Sequence, residues 1–347
     1  MNRIRYREKN TLCKYDLSEE FFSILKVKVN DIIPLRKVFI IVTDEGKKIL
    51  KRVDDSIERL NFISKVTKEI SNEYSNVLKY NEIDGKSYID WKGSRYVLLD
   101  LVEGREATFN NPVEIVYCTQ SVAKMHEASK QIFSTITSEE EIENKGEYLP
   151  TKFMNDLNIL IDLKDRIGKY KYKNKFDTLF IDNIDYYIKD LKNALKILAL
   201  CDYNSLIQDK ETIVICHNDL AHHNFILDGE EVSIIDFDYC NINTRSVDIA
   251  NLILKVIKNQ AFDKESIPII LESYNKIKKL SNTEIKLIYA ILSYPRDFIT
   301  SVKDYYFKQK SWDEEVFVNR LEDKINNEVY RSEFLENFIN DFEEYFY

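Results

Sequence analysis

Glycine and proline are scarce, with 7 and 5 in 347 residues. That excludes the long flexible or proline-rich linkers such residues build. Cysteine is sparse too, and its five positions (Cys13, Cys118, Cys201, Cys216 and Cys240) are scattered. An odd, unclustered set excludes a disulfide framework and reads as reduced thiols in a cytosolic setting. Basic residues are not in excess: the formal net charge is −9. Nucleic-acid binding, which rests on counterion release by a basic field, is therefore not expected. No apolar run approaches the ~18 residues that cross a bilayer, so no membrane partner is expected. The opening MNRIRYREKN has no apolar segment after it and does not read as a secretion signal. The expected location is cytoplasmic.

The composition is that of a soluble globular chain, 44% hydrophobic and 31% charged, long enough for two domains or one bilobal unit. One stretch organises it: IVICHNDLAHHNFILDGEEVSIIDFDYCNINTRSVDIA, from Ile213 to Ala250. Ile213–Cys216 is too short for a helix and predicts a buried strand. A polar loop follows, from His217 to Asn224. Phe225–Leu227 and Val232–Ile235 then flank Asp228-Gly229, a hairpin signal. The second arm ends at Asp236 and Asp238. Such a layout suits phosphoryl transfer, which needs a base near the attacking hydroxyl and Mg²⁺ on the phosphate oxygens. Asp219 can accept the hydroxyl proton; Asn224 and Asp236 offer the hard oxygen ligands Mg²⁺ takes. The spacing H-x-D-x-x-x-x-N resembles the catalytic loop of protein kinases and, more closely, that of aminoglycoside and choline phosphotransferases.

Upstream, residues 20–53 read as a strand meander, with Leu25, Val27 and Val29 alternating in the first arm, then KVFIIVT at 37–43 and KKILKRV at 47–53. Lys51 falls inside the return strand. It is either a solvent-facing strand lysine or, in a kinase small lobe, the lysine that holds the α- and β-phosphates. Residues 54–71 have a helical apolar face of Ile57, Leu60, Ile63, Val66 and Ile70. Glu58 is the candidate brace for Lys51, with Glu69 behind it. The spacing Asp55-x-x-Glu58 also matches a capping box. Two strands, 87–91 and 95–101, predict a hairpin around Lys92-Gly93-Ser94. In a bilobal kinase the second leads into the tether, where the Asp100 carbonyl and Val102 amide would meet adenine. His126, on a helix after Pro112, reads as structural. SEEEIEN at 138–144 reads as a solvated acidic surface, and residues 150–210 and those beyond Val247 read as helices.

The run CHNDLAHHNFIL, then IIDFDYC, then SVDIANLI resembles the aminoglycoside/choline phosphotransferase superfamily. Within it the chain resembles the CotS-type spore coat proteins. Supporting pieces are IIPLRKVFIIVTDEG at 32–46, ILKRV at 49–53, EGREATFNNP at 103–112, VAKMHEAS at 122–129 and LSYPRDF at 292–298. The resemblance implies an α+β, bilobal protein-kinase-like fold. Its small lobe, residues 1–103, would be an antiparallel sheet with one main helix that binds nucleotide. Its large lobe, residues 104–347, would be mostly helical with short hairpins. ATP and Mg²⁺ are the implied cofactors, with Asp219 as base, Asn224 and Asp236 as metal ligands, and Asp248 steadying the catalytic loop through backbone amides. It also implies expression in the mother cell and deposition on the spore coat, with other coat proteins as partners beside a small-molecule, sugar or coat-component acceptor.

Two departures stand out. No glycine lies between Val29 and Val38, so no glycine-rich loop can approach a triphosphate there; Arg36 is either a substitute contact or a surface arginine. Asp238 occupies the place of the glycine in D-F-G, as a second metal ligand or a plain loop acid. The missing glycines favour an alternative, a catalytically silent structural coat protein on a kinase scaffold. A third reading takes His217, His222 and His223 as zinc ligands, without any H-E-x-x-H spacing to support it.

Overall fold

The computed structural model describes residues 17–35, 38–259 and 265–342; Arg36 lies outside them. The chain divides into two compact units. One holds the described residues up to Ala107 with Lys124–Glu141 and His222–Cys240. The other holds Thr108–Ala123, Ile142–Ala221 and the described residues from Asn241 on.

The first unit is built on an antiparallel sheet in the order β1-β2-β3-β5-β4: β1 Val29–Leu35, β2 Val38–Thr43, β3 Gly46–Val53, β4 Ile89–Trp91 and β5 Ser94–Asp100. Leu35 pairs with Val38, so only two residues connect β1 to β2. Lys92 and Gly93, both at positive φ, make the two-residue turn between β4 and β5 that matches strand twist. The alternation at Leu25, Val27 and Val29 does not form the first arm. Glu19–Ile24 is a helix capped by Ser18, and the strand begins only at Val29. Phe21 and Leu25, one helical turn apart, both drop into the core with Phe39, Ile41, Leu50, Tyr96 and Leu98. At about 1.5–3 kcal/mol per large apolar side chain, that burial outweighs a short local strand preference.

The other face of the sheet packs on the helix Ile57–Glu73, through Val53, Leu60, Val97 and Leu99. Its cap is Ser56, whose hydroxyl accepts from Arg59 N at 3.2 Å; the cap is one residue later than Asp55. A second sheet, β6-β8-β9, belongs to the same unit: β6 Arg105–Glu106, β8 Phe225–Asp228 and β9 Glu231–Ile234. Gly104 sits at φ +135, and a Cβ there would lie 2.4 Å from the Leu227 carbonyl oxygen. Only glycine lets the chain pass β8 so closely.

The second unit is mostly helical, with one two-stranded antiparallel sheet of β7 Ile213–Cys216 and β10 Asn241–Thr244. Its longest helix, Lys175–Leu200, packs against Leu149–Gly168, Asn282–Ser293 and Glu314–Asn326. The helix Arg245–Asn259 packs on β7 and on Asn282–Ser293. The expected class, α+β with an antiparallel sheet and one main helix beside a mostly helical part, is the one observed.

Candidate active site

Successive side chains of a strand point to opposite faces. On β3, Leu50 therefore turns toward the cluster with Phe39 and Leu98, and Lys51 turns toward the face under the helix Ile57–Glu73. There its Nζ meets Asp236 Oδ1 and Asp238 Oδ2, each at 2.6 Å. Residues 76–78 bring these acids in by running parallel to the end of β9. Ile234 N donates to Asn76 O at 2.9 Å, and Leu78 N donates to Ile234 O at 3.2 Å. Asp236 then adopts φ +67, a left-handed turn that aspartate tolerates better than most residues, and leads into a 3₁₀ turn at Phe237–Tyr239. Arg59 holds the turn in place: its Nη2 donates to Asp238 O at 2.9 Å and to the Cys240 carbonyl.

Two carboxylates share one ammonium. Burial alone would lower the Lys51 pKa; Asp238 and Asp236 outweigh it and hold the ammonium above its ordinary value. Burial, and then the neighbouring Asp236, push the Asp238 carboxyl above the usual carboxylate range against the pull of Lys51. Tyr80 is raised by burial and by the same acids. Asn224 stands at the same end of the β8–β9 hairpin as Asp236, since Ile235 N donates to Asn224 O at 3.0 Å. Asp236 and Asp238 bring two hard-oxygen donors to one point, and Asn224 is tied by its backbone to the residue before Asp236. Two carboxylate donors side by side are ligands of the kind a divalent cation takes.

The other expected residues have different settings. Glu58 is fully exposed, with its carboxyl lowered by its own backbone amide, then by Ser56; the ion pairs of Lys51 go to Asp236 and Asp238. The Asp100 carboxylate accepts from Lys48 Nζ at 2.8 Å. Leu101 N donates to Lys47 O at 3.0 Å, and Val102 follows directly.

In the second unit, β7 delivers the loop that carries Asp219. Asp248 is fully buried in the first turn of Arg245–Asn259. Its carboxylate accepts from His217 N at 2.6 Å and from Asn218 N at 2.8 Å. Asn218, at φ +65, turns the chain, and Asp219 N donates to His217 Nδ1 at 3.3 Å. Asp219 Oδ1 accepts from Lys255 Nζ at 3.0 Å. His222 lies 3.9 Å from Glu106 and edge-on to His223. Among the described residues neither histidine joins a group of three metal-ligating side chains.

A family described as "Spore coat putative kinase YutH" matches residues 25–338. The chain belongs to that family. It is 24% identical over 315 residues to spore coat protein S of Bacillus subtilis, covering 87% of this chain and 86% of that one. An aminoglycoside phosphotransferase from Alicyclobacillus acidocaldarius superposes with a TM-score of 0.79 at 14% identity, over 93% of this chain and 96% of that one. A spectinomycin phosphotransferase, solved with ADP and spectinomycin, superposes with a TM-score of 0.61 at 12% identity, over 88% of this chain and 93% of that one. The protein-kinase-like fold expected from the sequence is thereby established. No described helix is long and apolar enough to cross a membrane.

Sequence reasoning missed Lys255 and Arg59. Lys255 has a visible signal, because Asp248, Asn251, Lys255 and Lys258 recur at three- and four-residue steps on one face of the helix. Arg59 has none: its partners are the backbone of a segment about 180 residues away.

Proposed function

We propose that the chain is an ATP- and Mg²⁺-dependent phosphotransferase associated with the spore coat, acting on a hydroxyl of a small molecule. The observation that carries this is the meeting of Lys51 with Asp236 and Asp238, which supports a phosphate-holding lysine beside a cation seat. Lys51 holds the α- and β-phosphates, and the Asp100 carbonyl and Val102 amide meet the adenine. Asp236, Asp238 and Asn224 hold the Mg²⁺, which when bound neutralises charge on the phosphate oxygens. Asp219 takes the acceptor hydroxyl's proton as that oxygen bonds to the γ-phosphorus; the bond from that phosphorus to the β–γ bridging oxygen breaks, and ADP leaves with the electron pair. Asp248 positions the Asp219 loop through two amides. The family and the kinase-like neighbours support this reading.

The test is a thermal-shift titration with ATP and Mg²⁺, followed by transfer assays. Nucleotide at 100 times its Kd adds about 2.7 kcal/mol of stability. Asp219→Asn is expected to keep that shift and lose transfer. The two-residue, glycine-free connection between β1 and β2 favours a second reading, a silent coat scaffold; no shift at millimolar nucleotide would select it.

A further inference from the structure

Residues 292–298, LSYPRDF, span the junction of the helices Asn282–Ser293 and Arg296–Tyr306, and all but Ser293 line a cavity of ≈ 170 Å³ inside the second unit. Four cationic residues line it: Lys258, Arg296, Lys324 and Arg331. Two carboxylates do, Asp297 and Glu328. Arg331 is matched twice over, by Glu328 at 2.6 Å and by Asp190 at 2.7 Å. Lys258, at 2.7 Å, and Lys324, at 4.0 Å, share Asp297. Among the described residues Arg296 has no carboxylate within ion-pair distance; its Nη1 donates to the neutral Asn251 Oδ1 at 2.8 Å. With Asp190 counted, the four cations meet three carboxylates, a surplus of one positive charge in a chain of net charge −9.

Desolvating a cation is costly: Arg296 and Lys258 are both lowered, burial being the first cause for each, and for Lys258 this holds in spite of its ion pair with Asp297. A guanidinium with spare donors matches the two oxygens of a carboxylate or phosphate. The first turn of Arg296–Tyr306, with no side chain capping it, adds a helix N-terminus to the same wall. The side chains of Lys258, Asp297 and Lys324 are about one-third exposed, so the cavity opens to solvent. The helix Arg245–Asn259 links it to the Asp219 loop: Lys255 pairs with Asp219, and Lys258, one turn further, lines the cavity.

We propose that this cavity is the acceptor subsite, and that the acceptor carries a phosphate or carboxylate group as well as its hydroxyl. This rests on the phosphotransferase reading. Its acceptor class is opposite in charge to an aminoglycoside.

The full chain, without nucleotide, is titrated with glycerol 3-phosphate, D-glycerate, glycerol and choline at matched ionic strength. Binding is read by calorimetry. Saturable binding is expected for one or both anions, which separates phosphate from carboxylate recognition, and not for glycerol or choline. Arg296→Gln and the rim variant Lys324→Met are expected to weaken it about tenfold or more with ATP–Mg²⁺ binding unchanged. Failure of both anions to bind, equal binding by choline, or full anion affinity in both variants would overturn the inference. If nucleotide binds and the anions do not, the inference fails alone. If the anions bind and nucleotide does not, the phosphotransferase reading fails and takes the acceptor role with it.

Discussion

Lys255 Nζ lies 3.0 Å from Asp219 Oδ1, so the residue proposed as the base is held by a lysine seven positions after Asp248 on the same helix. The pair is partly exposed, at 44% and 27% of the side chains, and such pairs contribute only about 0–1 kcal/mol to stability. On the proposed mechanism its role is to orient the Asp219 carboxylate. Lys255→Met is expected to lower kcat about tenfold, with little change in melting temperature or in ATP–Mg²⁺ affinity. A kcat equal to wild type in steady-state assays would remove Lys255 from the mechanism.

Lys51→Met leaves Asp236 and Asp238 facing each other without their ammonium. Stability is expected to fall by about 1–3 kcal/mol. Mg²⁺ should restore part of it, because a divalent cation can take the place of the ammonium between the two carboxylates. Urea denaturation with and without millimolar Mg²⁺ checks this; a loss indifferent to the ion would count against the cation seat.

Asp248→Ala strands the amide of the fully buried His217 and that of the partly buried Asn218. With each orphaned donor costing about 1–3 kcal/mol, a loss of roughly 2–5 kcal/mol is expected, with transfer lost before the global transition. Asp248→Asn retains one acceptor oxygen and should lose less. Equal stability of all three proteins in chemical denaturation would contradict the role drawn from the two hydrogen bonds.

Burial alone would raise the Asp297 carboxyl, but Lys258, then Lys324 and Arg296, outweigh it and hold it below the usual value. A carboxyl depressed in the folded state contributes stability that is present above the unfolded pKa, about 3.9, and is lost as pH falls through the folded pKa. The stability difference between wild type and Asp297→Asn should therefore be flat above about pH 5 and close below about pH 4. A difference that instead opens as the solution is acidified would reverse the assigned direction.

Much of the fold was legible because it is encoded locally. The hairpin around Gly229, the β2–β3 turn at Gly46 and the apolar stripe of the helix Ile57–Glu73 each follow from turn chemistry or periodicity within about twenty residues. The first strand was misread for the same reason. Alternation at Leu25, Val27 and Val29 is a local signal, and only the core that takes Phe21 and Leu25 shows that a capped helix wins.

By itself the sequence determined the β2–β3 and β8–β9 hairpins, the loop carrying Asp219 and Asn224, and the strand carrying Lys51, since each depends on spacing within one segment. Tertiary structure alone decided the partners. It gave Lys51 two acids from 185 and 187 residues away while leaving Glu58 in solvent, and it gathered Lys258, Arg296 and Lys324 around one carboxylate from three helices. Charged side chains have no periodicity that names their counterion. Their pairing is set by which backbones pack side by side, and that is a property of the folded chain.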